Sequence, residues 1–336
     1  MDSVYAQGMT SARIAHGGNL EAAEKRFGRP ETGWLDLSTG INRRPYPLPS
    51  IEAAVWRRLP GSDAGLRAAA AECYGVADPR LIVPAPGAQS LIQLLPGLRQ
   101  NAKVAVLSPT YEEHAASWRN AGHHVAEIET LDDAASLDVV VLVNPNNPDG
   151  KIVDPARLIA LSEVLAAKGG FLVVDESFAD ADPTKSVAKE AGRPGLIVLR
   201  SFGKFFGLAG LRLGFALCEA GTAATLKRRL GSWALNGPAL VIGESALLDD
   251  AWIGAMRQTL KADAQRMDRL LTGLGMRIVG GTSLFRLAET DGADELYERL
   301  GRRGILLRAF PKHPKWLRFG LPGPESEWKR LEAALS

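Results

Sequence analysis

A repeated alternation constrains this chain more than any other feature. Short, continuous apolar runs are each followed by an amphipathic stretch. AKVAVLSP (102–109), LDVVVLVNP (137–145), GGFLVVDES (169–177) and GLIVLRSF (195–202) read as buried strands. Between them, YEEHAASWRNAG (111–122) and DPARLIALSEVLAAKGG (154–170) read as helices. The first closes at Gly122; the second opens on Asp154 as N-cap with Pro155 in the first turn. A strand that is apolar along its whole length has both faces covered, and parallel strands need crossover helices. The alternation therefore predicts an α/β domain with a mostly parallel sheet between helical layers.

The 336 residues are too many for one small core and suit a large domain plus a smaller one. The pattern changes after about residue 235. A long amphipathic stretch (about 244–274) is followed by strand-like RIVGGTSLFRLA, GILLRAF and WLRFGLP around the helical DGADELYERLGRRG. This predicts a smaller α+β domain. The first 45 or so residues are punctuated by GG, GRP, STG and PYP and read as loop. The expected division is an arm over 1–45 that packs with the small domain, a large domain over 46–240 and a small one over 241–336.

Charge and composition exclude several classes. The net charge is only +2 and the basic residues are scattered, which favours neither nucleic acid nor a membrane surface as partner. No run approaches the roughly 20 apolar residues that span a bilayer. MDSVYAQGMTSARIAHGG lacks an apolar core behind a basic start, so no signal peptide and a cytoplasmic location are expected. Cys73 and Cys218 stand apart and read as reduced thiols. His16, His114, His123, His124 and His313 show no metal-ligand spacing, so no metal is expected.

Four strand ends carry polar residues that an apolar strand does not need. In an open α/β sheet, ligands bind outside the carboxyl ends of the strands, so these residues are candidates for one site. In SFGKFFGLAGLRLG (201–214), Lys204 lies among Phe202, Phe205 and Phe206. Apolar surroundings lower an amine pKa and favour imine chemistry. Ser201 and Arg212 around it suit a phosphate monoester. In VVDES (173–177), Asp175 ends an apolar strand, where an unpaired carboxylate is costly. A protonated pyridine nitrogen is one partner; a helix N-cap role is the competing reading. NPNNPDG (144–150) is a turn by composition whose Asn147 could also donate to a phenolate oxygen. PAPGAQSLIQLL (84–95) places the amides of Ala88 and Gln89 at a helix start, and Tyr111 after the next strand could stack on a flat ring.

Taken in order, these residues resemble the fold-type I pyridoxal-phosphate (PLP) enzymes of the class I/II aminotransferase family. That family runs Gly-rich turn, stacking aromatic, N-P-x-N-P-x-G, D-E-x-[FY], then S-x-x-K with an arginine eight residues on. The resemblance covers about residues 30–336 and implies the fold of a PLP-dependent transferase. It implies that Lys204 holds the cofactor as a Schiff base, that Ala88, Gln89, Ser201 and Arg212 hold its phosphate, that Tyr111 stacks on the ring, that Asn147 contacts O3′ and that Asp175 pairs with the ring nitrogen. Arg318 in WLRFGLP matches the family's carboxylate-binding arginine. A homodimer is implied as well. Two departures stand out: Phe178 replaces a frequent Tyr, and Leu59 in RRLPGSD replaces a Tyr that reaches the neighbouring subunit's cofactor phosphate in one subgroup.

HGGN (16–19) and WLDLSTGINRRPYP (34–47), with LPGSD and GLAGLRLGFA, are similar to a branch of cobalamin biosynthesis related to histidinol-phosphate aminotransferase. That branch decarboxylates L-threonine O-3-phosphate to (R)-1-amino-2-propanol O-phosphate. A phosphorylated substrate needs cations beyond those that hold the cofactor. Arg308 and His16 are the candidates, ahead of Lys312 and Arg43; Gly40 and Asn42 are placed near the substrate carboxylate. The alternative is amino transfer on a histidinol-phosphate-like substrate. A PLP-binding protein without turnover is disfavoured by the intact Lys204, Asp175 and Arg318. A nucleotide-binding oxidoreductase is disfavoured because G-x-G-x-x-G is lacking.

Overall fold

The computed structural model describes residues 16–132 and 134–336. The reading of residues 1–15 as free of a signal peptide lies outside the described residues. In chain order, helix α1 (Leu20–Phe27) and strand β1 (Leu35–Asp36) precede the short α2 (Ala53–Arg57) and α3 (Ala64–Tyr74). Next come β2 (Ile82–Ala85), α4 (Ala88–Leu94), β3 (Lys103–Leu107), α5 (Glu113–Asn120), β4 (His124–Ile128), β5 (Val139–Val143), α6 (Pro155–Ala166) and β6 (Phe171–Asp175). β7 (Leu196–Ser201), α7 (Phe202–Phe205), β8 (Gly214–Cys218), α8 (Ala220–Leu230) and α9 (Gly237–Leu247) complete this part. The remainder is α10 (Asp250–Gly273), β9 (Arg277–Thr282), β10 (Phe285–Glu289), α11 (Ala293–Arg302), β11 (Ile305–Leu306), β12 (Arg308–Ala309), β13 (Trp316–Gly320) and α12 (Glu325–Leu335).

The central sheet has seven strands in the order β2-β8-β7-β6-β5-β3-β4. The five from β7 to β4 are parallel, and β8 joins antiparallel to both β2 and β7. Alternation within single strands builds a core on each face. Val139, Val141 and Val173 enter one apolar cluster, with Trp118 of α5 and Leu226 of α8. Val140, Leu142, Leu172 and Val174 enter the other, with Leu66 of α3 and Leu158 of α6. A strand with both faces buried must be apolar throughout, which is the pattern the sequence shows. A four-stranded antiparallel sheet, β12-β13-β10-β9, forms the second unit. Among the described residues, no helix is long and apolar enough to cross a membrane.

Two expectations need correction. The amphipathic stretch 244–274 is two helices, because Asp249 caps α10 by accepting from the Trp252 amide at 2.9 Å. A continuing apolar period hid that start signal. The loop-like arm contains α1, capped by the Asn19 side chain, supported by a Glu21–Lys25 pair and stopped by Gly28 at φ 83°. The remaining arm is strapped down: β1 pairs in parallel with β11, and the Gly320 amide donates to Leu37 O at 2.7 Å.

A buried charge cluster clasps the middle of the central sheet. Arg200 of β7 donates to Glu176 Oε2 at 2.7 Å and pairs with Asp180; all three are buried. Its guanidinium lies 4.5 Å from the Tyr74 ring centroid. Burial works against the charge on Arg200, yet the two carboxylates keep it well above the ordinary arginine value. Glu176 adjoins Asp175 and Arg200 adjoins Ser201, so the pair locks the two strand ends that carry the candidate site. Arg200→Met strands two buried carboxylates. We expect urea denaturation to show a loss of about 3–5 kcal/mol in unfolding free energy; a loss below about 1 kcal/mol would remove the clasp from this role.

Candidate functional site

The strand ends converge as expected at the carboxyl edge of the sheet. A cavity of about 280 Å³ there is lined by Ala88, Gln89, Tyr111, Asn147, Asp175, Ser201, Lys204 and Arg212. Lys204 follows β7 within the one-turn α7, and the arm fixes that turn. The Asn42 amide donates to Lys204 O and the Tyr46 amide to Phe206 O, both at 2.9 Å. Gly207, at φ 69°, allows the approach; a Cβ there would lie 2.5 Å from Asn42 O. Burial pushes the Lys204 amine down to about 8, with Arg318 and Arg212 adding to the shift and Asp175 opposing it.

Asp175 ends β6 inside the cavity and is fully supplied with donors. Its Oδ1 accepts from the Ser177 amide at 2.9 Å and from the Ser177 hydroxyl, and its Oδ2 meets His114 Nε2 at 2.9 Å. Burial raises its pKa, but the bonds from His114 and Ser177 outweigh this and hold the carboxyl below its ordinary value. It is thus held as an anion facing the cavity. At another wall, Ala88 and Gln89 begin the first turn of α4, whose amides have no carbonyl one turn back to bond. Arg212 stands over this turn. Its backbone is left-handed at φ 56°, a conformation that costs a non-glycine residue roughly 1–2 kcal/mol. Gly87 makes room for it, since a Cβ there would lie 2.6 Å from Arg212 Nη2. Gly214 does the same for the cup, as its Cβ would lie 2.4 Å from the Ala88 nitrogen.

This donor set fits one kind of ligand. A hydroxyl, a guanidinium and free amides suit a phosphate monoester dianion. The Tyr111 ring forms a wall, the Asp175 anion suits a protonated ring nitrogen, and the Lys204 amine suits an aldehyde. Asn147 Oδ1 accepts from Arg318, which leaves Nδ2 as the group it offers a ligand.

A second cavity of about 560 Å³ opens on the first and shares Tyr111, Asn147, Phe178 and Lys204 with it. Its other lining includes His16, Arg308, Lys312 and Arg318. Arg318 is buried with neutral hydrogen-bond partners, the Asn147 amide oxygen and Ser38 O at 2.7 Å. Burial lowers its pKa to about 9, and the nearby Arg308 adds to this. Burial also lowers Arg308 from the ordinary arginine value. His16 Nε2 meets Glu113 Oε1 at 2.8 Å at the mouth.

Gly40 and Asn42 do not line either cavity. Asn42 Nδ2 donates to Phe205 O at 2.9 Å and its Oδ1 accepts from the Arg44 amide, so its amide is spent on backbone. Gly40 packs under Phe178 and Phe285, where a Cβ would lie 2.7 and 3.0 Å from their rings. Arg43 is bound to Glu327. His114, Ser177 and Glu113 were missed by sequence reasoning. Their only signal was adjacency, to Tyr111 for two of them and to Asp175 for the third.

Residues 56–335 match the profile of the family described as aminotransferase class I and II. The chain is 48% identical to the threonine-phosphate decarboxylase of Pseudomonas aeruginosa over 96% of its length and 97% of that protein. It is 44% identical to the threonine-phosphate decarboxylase of a Sinorhizobium species over 97% and 98% of the two chains. Its fold is similar to that of the histidinol-phosphate aminotransferase of Sinorhizobium meliloti in complex with pyridoxal-5′-phosphate (TM-score 0.83, 21% identity, 99% and 97% coverage).

The lowered Lys204 value sets a pH dependence. Only the neutral amine captures an aldehyde, so capture should rise with pH through about 8. Borohydride trapping of pyridoxal phosphate on the apo-protein measures it. A midpoint near the ordinary lysine value of about 10.4 would contradict the buried setting.

Proposed function

The chain belongs to the aminotransferase class I and II family, and on that premise we propose that it decarboxylates L-threonine O-3-phosphate. The product is (R)-1-amino-2-propanol O-phosphate, which places the enzyme in cobalamin biosynthesis as the sequence resemblance implies. Pyridoxal phosphate is the cofactor. The observation that carries the choice of substrate is the second cavity, where Arg308 and Arg318 stand on the wall that Lys204 also reaches. Two guanidinium groups match the two anionic groups of an amino acid phosphate.

When bound, the cofactor supplies a cationic ring that accepts the electron pair left at the substrate Cα when carbon dioxide departs. Ala88, Gln89, Ser201 and Arg212 would hold its phosphate, Tyr111 would wall the ring and Asn147 would offer Nδ2 to its phenolic oxygen. Asp175, held ionised by His114 and Ser177, would keep the ring nitrogen protonated. Arg318 binds the substrate carboxylate and orients the bond to be broken. Arg308 receives the substrate phosphate, with His16 at the mouth. Lys204 Nζ then delivers a proton to Cα, its lowered pKa suiting transfer near neutral pH. Phe178, on the wall the two cavities share, packs edge to face on Phe285 at 5.0 Å.

A homodimer is part of the same reading. Trp56, Leu59 and Trp233 are more than 60% exposed on neighbouring segments, an apolar face suited to a second copy. We take residues 1–45 as an arm on the small unit, 46–240 as the large unit and 241–336 as the small one.

The deciding experiment incubates holoenzyme with threonine phosphate alone. Stoichiometric carbon dioxide with unchanged cofactor supports decarboxylation; accumulation of pyridoxamine phosphate without carbon dioxide would establish amino transfer instead. Lys204→Ala should abolish turnover, and retained turnover removes it from its role. Arg308→Ala should weaken binding of threonine phosphate about tenfold or more, well beyond the effect of Lys204→Ala. Equal binding losses in the two variants would take Arg308 out of phosphate recognition.

A further inference from the structure

A chain of hydrogen bonds runs from the cofactor seat to the mouth of the substrate cavity. The Tyr111 hydroxyl donates to Gln89 Oε1 at 3.1 Å. Gln89 Nε2 donates to Glu113 Oε2 at 2.9 Å. Glu113 Oε1 meets His16 Nε2 at 2.8 Å. The His16 ring also lies against Tyr111, with centroids 5.8 Å apart.

We propose that Glu113 is a positioning residue that couples docking of the arm, over residues 16–42, to loading of the cofactor. Each strengthens the other. The proposal rests on the cofactor seat in the reading above and not on the reaction carried out there.

The geometry makes the coupling direct. The two oxygens of one carboxylate serve the two sides: Oε1 faces the arm and Oε2 faces Gln89. Gln89 is fixed at both ends of its amide, by Tyr111 and by Glu113, so its orientation depends on Glu113 staying in place. The Gln89 side chain in turn holds the hydroxyl of Tyr111, which walls the ring, so loss of Glu113 loosens that wall. On the arm side, His16 is not a loose end. A Cβ on Gly17 would lie 2.3 Å from Ser38 O, and the Gly18 amide donates to Ser38 Oγ at 2.7 Å. Ser38 O in turn accepts from Arg318 Nη2. The arm thereby grips the substrate cavity at two points, Arg318 through Ser38 and the cofactor cup through His16 and Glu113. A coupling between two binding events is reciprocal by thermodynamic necessity.

The test is a double-variant cycle on cofactor affinity, without substrate. Apo-protein is titrated with pyridoxal 5′-phosphate, followed by absorbance, for the natural chain, His16→Ala, Glu113→Ala and the double variant. Each single change is expected to weaken binding about threefold to tenfold. The double variant should lose no more than the larger single loss, because both changes cut one relay. His16 is exposed, with 42% of its side chain in solvent, so apo-protein carrying His16→Ala should melt like the natural chain. Unchanged cofactor affinity in His16→Ala, or single losses that multiply in the double variant, overturns the proposal. A natural chain that takes up the cofactor but releases no carbon dioxide from threonine phosphate would refute the decarboxylase reading alone and leave this cycle intact.

Discussion

Lys204, Arg212, Arg308 and Arg318 converge on two joined cavities in which Asp175 is the most deeply buried carboxylate. Gathering cations in a partly dry space is unfavourable, and the lowered values of Lys204 and Arg318 express it. The other buried arginine among the described residues, Arg200, is neutralised internally by Glu176 and Asp180. Among the described residues, the hydrogen-bond partners of Arg318 are neutral, the Asn147 amide oxygen and Ser38 O. The difference separates a structural ion cluster from a site that waits for anions. In the function proposed above, a cofactor phosphate and a substrate carboxylate are two such anions.

The first turn of α5 does much of the organising. Residues one apart on a helix point about 100° away from each other. Glu113 and His114 therefore serve different partners. Glu113 faces Gln89 and the arm, while His114 faces Asp175. With Tyr111 just before them, one short segment touches the cup, the ring wall and the carboxylate. The strap from the arm, through Asn42 and Tyr46 onto α7, holds Lys204 from the other side. Asn42, expected near the substrate carboxylate, spends its side-chain amide on that strap.

The sequence alone determined the central sheet, because a strand buried on both faces leaves an apolar run that no loop shows. It also singled out the candidate site residues at one edge of that sheet. Asp175 and Ser201 end such runs, Lys204, Asn147 and Ala88 lie just beyond them, and strand ends of a parallel sheet share one edge whatever the strand order. Only the tertiary structure decided what lies between those ends. The bond from His114 to Asp175 joins α5 to β6, and Arg200 of β7 pairs with Asp180 in the connection that precedes it; no local pattern encodes a contact of either kind. The same holds for Asn42, whose residue type suits a ligand contact or a backbone strap equally well; its place beneath Phe205, set by packing of the arm, decided for the strap.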